Sequence, residues 1–545
     1  MNGHDMDAPL DKATPPPTPS ADARASAEAP APGEATRRYL RAMDERRAEP
    51  IDWDAAPPAH KRYARTERIP LEDGAWAGEL LRGLLSVTRI DWEHPHDETG
   101  EPVPGRPRLR VARSVPSGGG LYPIDAYVAD GRSLCHYDVV HHGLEVVRAG
   151  DHRPALEELF ARPSAASGLV VGLAARWWRG GFKYGDFAYR LACQEIGVLA
   201  AQALALAGPL GLRATVHLDF DARAADRLLG LDPSAEGTLA LITVSRRPST
   251  TRTDASSLPS GPAAVPADSP VSVTARLPHL AALHAATQRR SLADADSDPV
   301  PPEPDGRLIA LPDAPPLGPA DGIAHRASPP NGFRPAPIPL SELARILTAA
   351  CRTSSRELPD IADEPPGVAP YVLALRVPGL PIGVYRYLPD QHVLAEVGDG
   401  AALGPLLGGP LRPNTREALR RAAAALVPVG DPLARVGRFG DLWYRIQQAE
   451  CGLVVHRATL AAHALGRAAR IHSDAADAAT DTVLGLDATA WRSLGVVFLG
   501  SPRMNGPVRR APAWPARGRP RAAGPNGTRV PEGGMRNVQG LRGPE

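Results

Sequence analysis

The stretch "FKYGDFAYRLACQEIG" at 182–197 recurs later in the chain as "GRFGDLWYRIQQAECG" at 437–452. The shared letters keep one offset of 255 residues, as from Asp186 to Asp441. The same offset continues without a gap through "LGLRATVHLDFDARAADRLLGLD" and "LGRAARIHSDAADAATDTVLGLD". Self-similarity at a fixed offset is the sequence signature of a repeated structural unit. The sequence therefore predicts two copies of one domain.

Each copy has the same order of predicted elements. A long apolar helix follows the "YR", a short strand surrounds His217 or His472, a helix ends at the glycine of "LGL", and a β-branched strand closes the copy. This order predicts an α+β fold with helices packed on mixed or antiparallel sheets. Two copies in one chain commonly replace a two-fold homodimer, so we predict an intrachain pseudo-dimer.

Composition divides the chain into five segments. Residues 1–34 and 506–545 are rich in Pro, Ala, Gly or Arg with few large apolar groups, which predicts a disordered tail at each end, the second one basic. The two domains are predicted over 35–245 and 305–505. Between them, 246–304 is predicted to be a linker that contains a short helix within "VTARLPHLAALHAATQRRSL".

The charge balance excludes a global electrostatic partner. The 545 residues carry 62 basic and 61 acidic side chains, a formal net charge of +1, so we expect neither nucleic acid nor a membrane surface as partner. The four cysteines form no CxxC pair, and the N-terminal residues lack a secretory signal, so we expect a cytoplasmic protein. We predict no metal site, and we interpret "DWEHPHDETGE" at 91–101 as a solvated insertion.

A glycine-rich stretch precedes a predicted strand in the first copy. It reads "RSVPSGGGLYPIDAYV" at 113–128 and contains Ser117, Gly118, Gly119 and Gly120. Glycine tolerates positive φ and lets backbone N–H groups approach a ligand closely. The stretch is therefore either a cofactor contact or a turn that leads into the strand, and its spacing does not match GxGxxG.

Several motifs together resemble one family. "PSGGGLYPID", "CHYD", "KYGDFAYR" and "LLGLD" occur in that order, and "HRASPPNGFRPAPIPLSELARIL" opens the second copy. These motifs resemble the SagB/ThcOx-type (McbC-like) dehydrogenases of the nitroreductase superfamily. The resemblance implies two tandem nitroreductase-like domains with FMN at their interface. It also implies oxidation of thiazoline or oxazoline rings in a modified precursor peptide, with a cyclodehydratase as partner.

The resemblance also implies which residues bind the cofactor. Arg326 and Ser328 of the second copy are expected to bind the FMN phosphate, with Arg503 as a same-domain helper. Ser117, Gly118, Gly119 and Gly120 of the first copy are expected to contact the rest of the flavin. The opposite pairing looks degraded in both copies, so we expect one FMN per chain.

The repeat also marks catalytic candidates. Lys183 and Tyr184 of the first copy become Arg438 and Phe439 in the second, while the flanking "GD" and "YR" pairs persist. Lys–Tyr positions in the family are implicated in catalysis, and proton removal from an azoline needs a base. Burial lowers the pKa of a lysine, and a neighbouring ammonium lowers that of a tyrosine. Without the family, the bland interpretation is a solvated lysine beside a half-buried tyrosine.

Three residues kept in both copies are interpreted as structural. We expect Asp186 to cap the helix that follows it, and Arg190 and Glu195 to form a buried pair. Two further functions stay open beside the azoline dehydrogenase. One is a generic NAD(P)H-dependent flavin reductase of nitro or quinone compounds, and the other is a non-catalytic scaffold in a peptide-modifying complex.

Overall fold

The structure is a computed structural model of the 545-residue chain. It describes residues 31–47, 50–63, 65–72, 74–95, 103–162, 168–246, 262–288, 305–352, 357–409, 411–487, 489–506 and 508–512. The expected tails at 1–30 and 513–545, most of the expected linker, and 96–101 of the "DWEHPHDETGE" insertion lie outside the described residues.

The first lobe is built on an antiparallel sheet with helices packed against it. Within the described residues, this sheet has seven strands in the order β1-β6-β5-β4-β7-β9-β8. The elements up to residue 287 are α1 (Glu34–Asp44), β1 (Arg68–Pro70), α2 (Trp76–Leu85), β2 (Val87–Glu93), β3 (Arg108–Arg113), β4 (Ile124–Ala129), β5 (Ser133–Asp138), β6 (Gly143–Ala149), α3 (Arg153–Glu157), β7 (Leu169–Arg176), α4 (Trp177–Tyr184), α5 (Ala188–Ala207), β8 (Arg213–His217), α6 (Ala222–Leu229), β9 (Glu236–Ser245) and α7 (Pro278–Thr287).

The second lobe repeats that plan. Among the described residues its sheet follows the order β10-β14-β13-β12-β15-β18-β11, and β16 pairs with β18 and β17 with β15. The remaining elements are β10 (Leu308–Ala310), β11 (Phe333–Arg334), α8 (Leu340–Ala350), β12 (Ala369–Ala374), β13 (Gly383–Leu388), β14 (Val393–Asp399), α9 (Gly404–Gly408), α10 (Pro413–Arg421), β15 (Ala424–Gly430), α11 (Val436–Phe439), α12 (Leu442–Ala464), β16 (Ala468–His472), α13 (Ala478–Val483), β17 (Arg492–Ser493), β18 (Val496–Pro502) and β19 (Val508–Pro512).

The two sheets correspond strand for strand, which confirms the predicted α+β fold with two repeated domains. The order β1-β6-β5-β4-β7-β9-β8 maps onto β10-β14-β13-β12-β15-β18-β16. The predicted long helices are α5 and α12, the strands around the histidines are β8 and β16, and the closing strands are β9 and β18. Gly230 ends α6 with φ 71°, as the "LGL" motif predicts.

Helices α5 and α12 pack on each other and join the lobes as a pseudo-dimer. Their crossing depends on Gly197 and Gly452, which are equivalent in the repeat. A Cβ on Gly197 would overlap the carbonyl oxygen of Ala449, and a Cβ on Gly452 would overlap that of Gln194. The stretch 177–207 is apolar and long enough to span a membrane, but most of it is buried inside the protein. This stretch comprises α4 and α5, and α5 is a core helix of the interface.

The expected disordered tail from residue 506 onward is wrong for residues 508–512. These residues form β19, which crosses to the first lobe and pairs antiparallel with β2. With β3 on the other side of β2, β19 completes a three-stranded sheet among the described residues. Backbone hydrogen bonds to β2, the buried side chain of Val508 and the ion pair of Arg510 with Asp91 hold this short basic segment in place.

The expected linker is also partly wrong. Residues 262–288 lie against the first lobe, and Val273, Leu277, Leu280 and Leu283 are buried in its core. The short helix foreseen there is α7. The four buried apolar side chains of the segment 262–288 offset the chain entropy that its Pro- and Ser-rich residues alone do not.

Two structural roles foreseen from the repeat need correction. Asp186 does not cap α5, because its Oδ1 accepts the backbone N–H of Leu280 at 2.7 Å, in the first turn of α7. Arg190 and Glu195 do not pair with each other. Arg190 donates to the carbonyl of Leu494 in the second lobe, whereas Glu195 accepts from the glycine-rich stretch described below.

The lobes differ most between their first strand and first long helix. In the first lobe, β1 and α2 are separated only by residues 71–75. In the second lobe, β10 and α8 are separated by residues 311–339, which carry the Arg326 and Ser328 motif. The first lobe thus lacks the whole segment rather than holding a degraded copy of it.

Candidate functional site

A cavity of about 620 Å³ lies between the lobes. Its volume falls in the range of small-molecule sites, roughly 300–1,000 Å³. It is lined from the first lobe by β3, the glycine-rich stretch, the end of α4 and one side of α5. From the second lobe it is lined by the Arg326 segment, residues 470–474 and the start of α10. All but one of the predicted site residues line it, namely Lys183, Tyr184, Ser117, Gly118, Gly119, Gly120, Arg326 and Ser328.

The glycine-rich stretch is held by a buried carboxylate. Oε1 of Glu195 accepts the Ser117 hydroxyl at 2.8 Å and the Gly118 backbone N–H at 2.9 Å. The Ser117 Oγ also accepts the backbone N–H of Tyr122 at 2.8 Å. Burial raises the pKa of Glu195 to about 7, against the lowering effect of these donors. Glu195 is therefore the residue that fixes the loop, a role the repeat alone did not reveal.

Lys183 and Tyr184 meet this loop at the end of α4. Both residues belong to the last turn of α4, and the chain turns directly after them at Gly185, which has φ 58°. Gly119 has φ 61°, and a Cβ there would lie 2.7 Å from the Lys183 Nζ and closer still to the Tyr184 Oη. Because Gly119 has no side chain, the Lys183 amine and the Tyr184 hydroxyl have room inside the cavity.

The two candidate bases are shifted in opposite directions. Burial lowers the pKa of Lys183, and the charges of Arg110 and Arg412 lower it further. Burial raises the pKa of Tyr184 to about 12, with Glu195 as the next cause. The expectation that the neighbouring ammonium lowers the Tyr184 pKa is therefore wrong. At neutral pH the phenol keeps its proton, and of the two groups the amine is the more accessible base.

Arg326 crosses the interface into the first lobe. Its Nε donates to the carbonyl of Ser114 at 2.8 Å and its Nη2 to that of Arg113 at 3.3 Å. Its Nη1 is buried with no hydrogen-bond partner in the described part of the chain. Arg89 approaches from β2 and donates to the carbonyl of Arg326 itself. Burial lowers the pKa of Arg326 to about 9, with the charge of Arg89 as the second cause.

Arg503 is not part of this cavity, so its predicted role is wrong. Its side chain is exposed, and its backbone N–H bonds the carbonyl of Gly332. The C-terminal cation in the cavity is Arg510 of β19, which donates to the Asp91 carboxylate at 2.6 Å and to the carbonyl of Ser328 at 3.3 Å. Asn331 bonds the backbone of Val508 and so fixes the strand that carries Arg510.

The equivalent place in the other half of the pseudo-dimer is filled by protein. Arg438, at the position of Lys183, forms an ion pair with Glu364, and Arg435 stacks on the Trp443 ring at 4.6 Å. Trp443 stands where the first copy has Ala188, and it is fully buried. This packing occupies the position that corresponds to the cavity with Lys183.

The cavity is strongly basic although the chain is nearly neutral. Among the described lining residues are eight Arg or Lys and three Asp or Glu side chains. The basic ones are Arg46, Arg89, Arg110, Lys183, Arg326, Arg412, Arg470 and Arg510. A concave surface with this charge concentrates anions.

Comparison with known proteins identifies the fold of this chain. No family model and no curated protein matches it. A crystal structure of a putative nitroreductase from Anabaena variabilis matches with a TM-score of 0.67 and 20% identity, over 86% of this chain and 99% of that one. The chain has a nitroreductase fold. Because this match spans most of both chains, it includes both lobes.

Two further structures match only part of the chain. A putative nitroreductase from Ralstonia eutropha has a TM-score of 0.26 and 23% identity over 37% of this chain and 89% of that one. The E. coli microcin synthetase McbBCD complex, with a truncated pro-microcin bound, has a TM-score of 0.25 and 18% identity over 37% of this chain and 74% of that one. Likeness at this level adds nothing to the assignment of the fold.

Proposed function

We propose that the chain is a SagB/ThcOx-type FMN-dependent dehydrogenase that oxidises peptide thiazoline or oxazoline rings to thiazole or oxazole. The observation that carries the proposal is the composite cavity. Arg326 and Ser328 from one lobe meet Ser117–Gly120, Lys183 and Tyr184 from the other in a single space. The sequence predicts this meeting from motifs that lie more than 140 residues apart in the chain.

The residues of the cavity fit FMN. The buried Nη1 of Arg326 lacks a partner among the described residues, and Arg510, Arg89 and the Ser328 hydroxyl lie in the same lining, as a phosphate requires. The Gly119 backbone leaves the space that a flat ring system needs beside Lys183. The filled counterpart around Trp443 supports one FMN per chain.

In this proposal FMN supplies the hydride acceptor for the ring Cβ–H of the azoline. Lys183, as a neutral amine, accepts the Cα proton. Tyr184, protonated, donates a hydrogen bond to the ring or to its neighbouring carbonyl. Glu195 holds the glycine-rich loop in the position where Gly119 leaves space for the Lys183 amine and the Tyr184 hydroxyl. An external two-electron acceptor, such as dioxygen, would take up the two electrons that the hydride carries.

The first experiment measures flavin in the purified full chain. We expect a yellow protein with one FMN per chain, determined from absorbance after release by denaturation. Arg326→Ala should release the flavin, whereas Arg503→Ala, an exposed arginine outside the cavity, should retain it. Retention by Arg326→Ala with full occupancy would contradict the composite site.

The second experiment tests the reaction. A synthetic peptide with a single thiazoline is incubated with the holoenzyme in air, and mass spectrometry follows the loss of two hydrogens. Lys183→Ala should keep the flavin and lose most of the activity, by about a hundredfold or more. A colourless protein would instead favour the scaffold. Rapid flavin bleaching by NADPH without ring oxidation would favour the generic reductase.

The proposal extends to partners and location. A cyclodehydratase that forms the azoline must act before this chain, because the substrate ring is the product of that cyclisation. We propose that both work in the cytoplasm on the same precursor peptide. Co-purification of the two proteins with the precursor tests this, and a dehydrogenase that is active only on free azolines would contradict it.

A further inference from the structure

Strand β3 is a free edge at the mouth of the cavity. In the three-stranded sheet β19-β2-β3, β2 lies in the middle and β19 is fastened to the Asn331 loop. No described strand pairs with the outer side of β3. Its residues Arg110, Val111 and Ala112 line the cavity. The unpaired backbone groups of this edge therefore lie beside the site of reaction.

This edge lacks the usual protection. Leu109 is 60% exposed and Val111 is 43% exposed, and four of the six residues of β3 are exposed. Proteins normally shorten, cover or bend such an edge, because unpaired N–H and C=O groups recruit another strand. A six-residue edge that no described strand covers, beside a cavity, is a template for strand addition.

The two faces of the small sheet have different chemistry. Arg110 lies opposite Asp91, and Asp91 lies opposite Arg510, so these three side chains share the face toward the cavity. Leu109 lies opposite Trp92 on the other face. Glu93 lies opposite Arg108 and is ion-paired with Arg110 at 3.8 Å, so the first face is basic only on balance. An added strand would alternate its side chains between this face and the face with Leu109 and Trp92.

We propose that β3 binds an extended segment of the peptide substrate by strand addition, and that this segment alternates acidic and apolar residues. The inference rests on the proposed function for the nature of the substrate. Acidic side chains would lie over Arg108 and Arg110, and apolar ones beside Leu109 and Val111. The strand would lead the ring into the cavity toward Lys183.

The charge of the cavity supports an acidic segment. Eight basic and three acidic side chains line it, among the described residues. An FMN phosphate neutralises about two positive charges. Arg412 acts on Lys183 from the second lobe, and Asp474 offsets part of its charge at 3.8 Å. The basic side chains still outnumber the acidic ones after that pairing, which favours an acidic peptide over a basic one.

The test uses FMN-loaded full chain and labelled short peptides, with binding read by fluorescence anisotropy. The probe alternates Glu and Val. One control has the same composition in two blocks, one alternates Lys and Val, and one carries N-methyl groups on alternate residues of the Glu/Val sequence. We expect the Glu/Val probe to bind, and each control to bind at least about tenfold more weakly. Equal binding of the N-methylated probe would overturn strand addition.

Two charge-reversal variants test whether the probe binds at β3. Arg110→Glu should weaken binding of the Glu/Val probe by about tenfold or more, as expected for reversal of a charge at an interface. Arg509→Glu, an exposed arginine on β19 of the same sheet, should leave it within about twofold. Equal effects of both variants, or no binding of the probe, would overturn the inference. Flavin content and thiazoline oxidation are measured separately, so failure of the proposed function shows independently of probe binding.

Discussion

Two adjacent glycines allow the role of the Lys183–Tyr184 pair to be tested with an internal control. Gly119 has φ 61° and Gly120 has φ 69°, so an alanine at either position adopts the left-handed region. That conformation costs roughly 1–2 kcal/mol for a residue with a Cβ. The new methyl group at 119 would meet Lys183 and Tyr184, whereas the one at 120 would meet nothing within 4 Å.

Both variants should therefore lose similar stability, about 1–2 kcal/mol in urea denaturation followed by tryptophan fluorescence. Only Gly119→Ala should displace the two polar tips, so its thiazoline oxidation should fall by about tenfold or more, while Gly120→Ala stays near the parent. Flavin content is measured on both, to separate loss of cofactor from loss of chemistry. Equal activity of the two variants would refute the placement of Lys183 and Tyr184 at the reacting ring.

Three other outcomes follow from the same geometry. Glu195→Gln keeps both accepted hydrogen bonds but removes a carboxyl whose pKa burial raises to about 7. Between pH 5 and pH 7 the free energy of unfolding should therefore fall less in the variant than in the parent. The difference between the two falls should be up to about 3 kcal/mol in urea titrations. The sign follows because the buried, protonated Glu195 stabilises the folded parent at low pH, and that stabilisation is lost as the pH rises through the folded-state pKa of Glu195. A steeper loss of stability in the variant than in the parent would contradict the burial of Glu195. The activity of the parent should rise with pH as the Lys183 amine loses its proton, at a pH below the ordinary pKa of lysine. Tyr184→Phe should keep this rise in the pH–rate profile. Loss of the rise in Tyr184→Phe would assign the base to the tyrosine. Gly197→Val should separate or unfold the lobes, because its side chain would overlap the carbonyl of Ala449. Gly208→Ala, with open space around it, should do neither. A folded Gly197→Val variant with intact flavin would contradict the helix crossing.

The repeat was readable because its conserved letters fall on positions that packing constrains. Gly197 and Gly452 are needed where two helices touch, and Gly230 and Gly485 are needed for positive φ. Such positions tolerate few residue types, so their spacing survives divergence. This is why the fold and the pairing of the lobes could be predicted from one sequence.

Other parts of the repeat were hidden by a change of offset. Tyr137 bonds His142 and Tyr387 bonds His392 in the same way, and both histidines have positive φ. These pairs are 250 residues apart rather than 255, because the connecting segments differ in length. A comparison at one fixed offset therefore misses them.

The errors at the site have a different physical cause. Arg510 was missed because β19 is short, lies among Pro, Gly and Arg, and gains its order from β2 more than 400 residues earlier. Local composition cannot report such a partner. Arg503 was chosen because it follows the closing strand, yet that strand directs it to the surface. The pKa of Tyr184 was misjudged because burial outweighs a nearby ammonium.

The ends of the chain are exchanged between the halves. Helix α1 precedes the first lobe and packs on α7, yet it also reaches the second lobe, where Thr36 bonds the Asp441 carboxylate at 2.7 Å and Tyr39 packs on Tyr444. Strand β19 follows the second lobe but completes a sheet of the first. Each half thus clasps the other, so a chain severed between 289 and 304 should persist as a heterodimer. The gene could accordingly be divided there and its products co-expressed as a complementing pair.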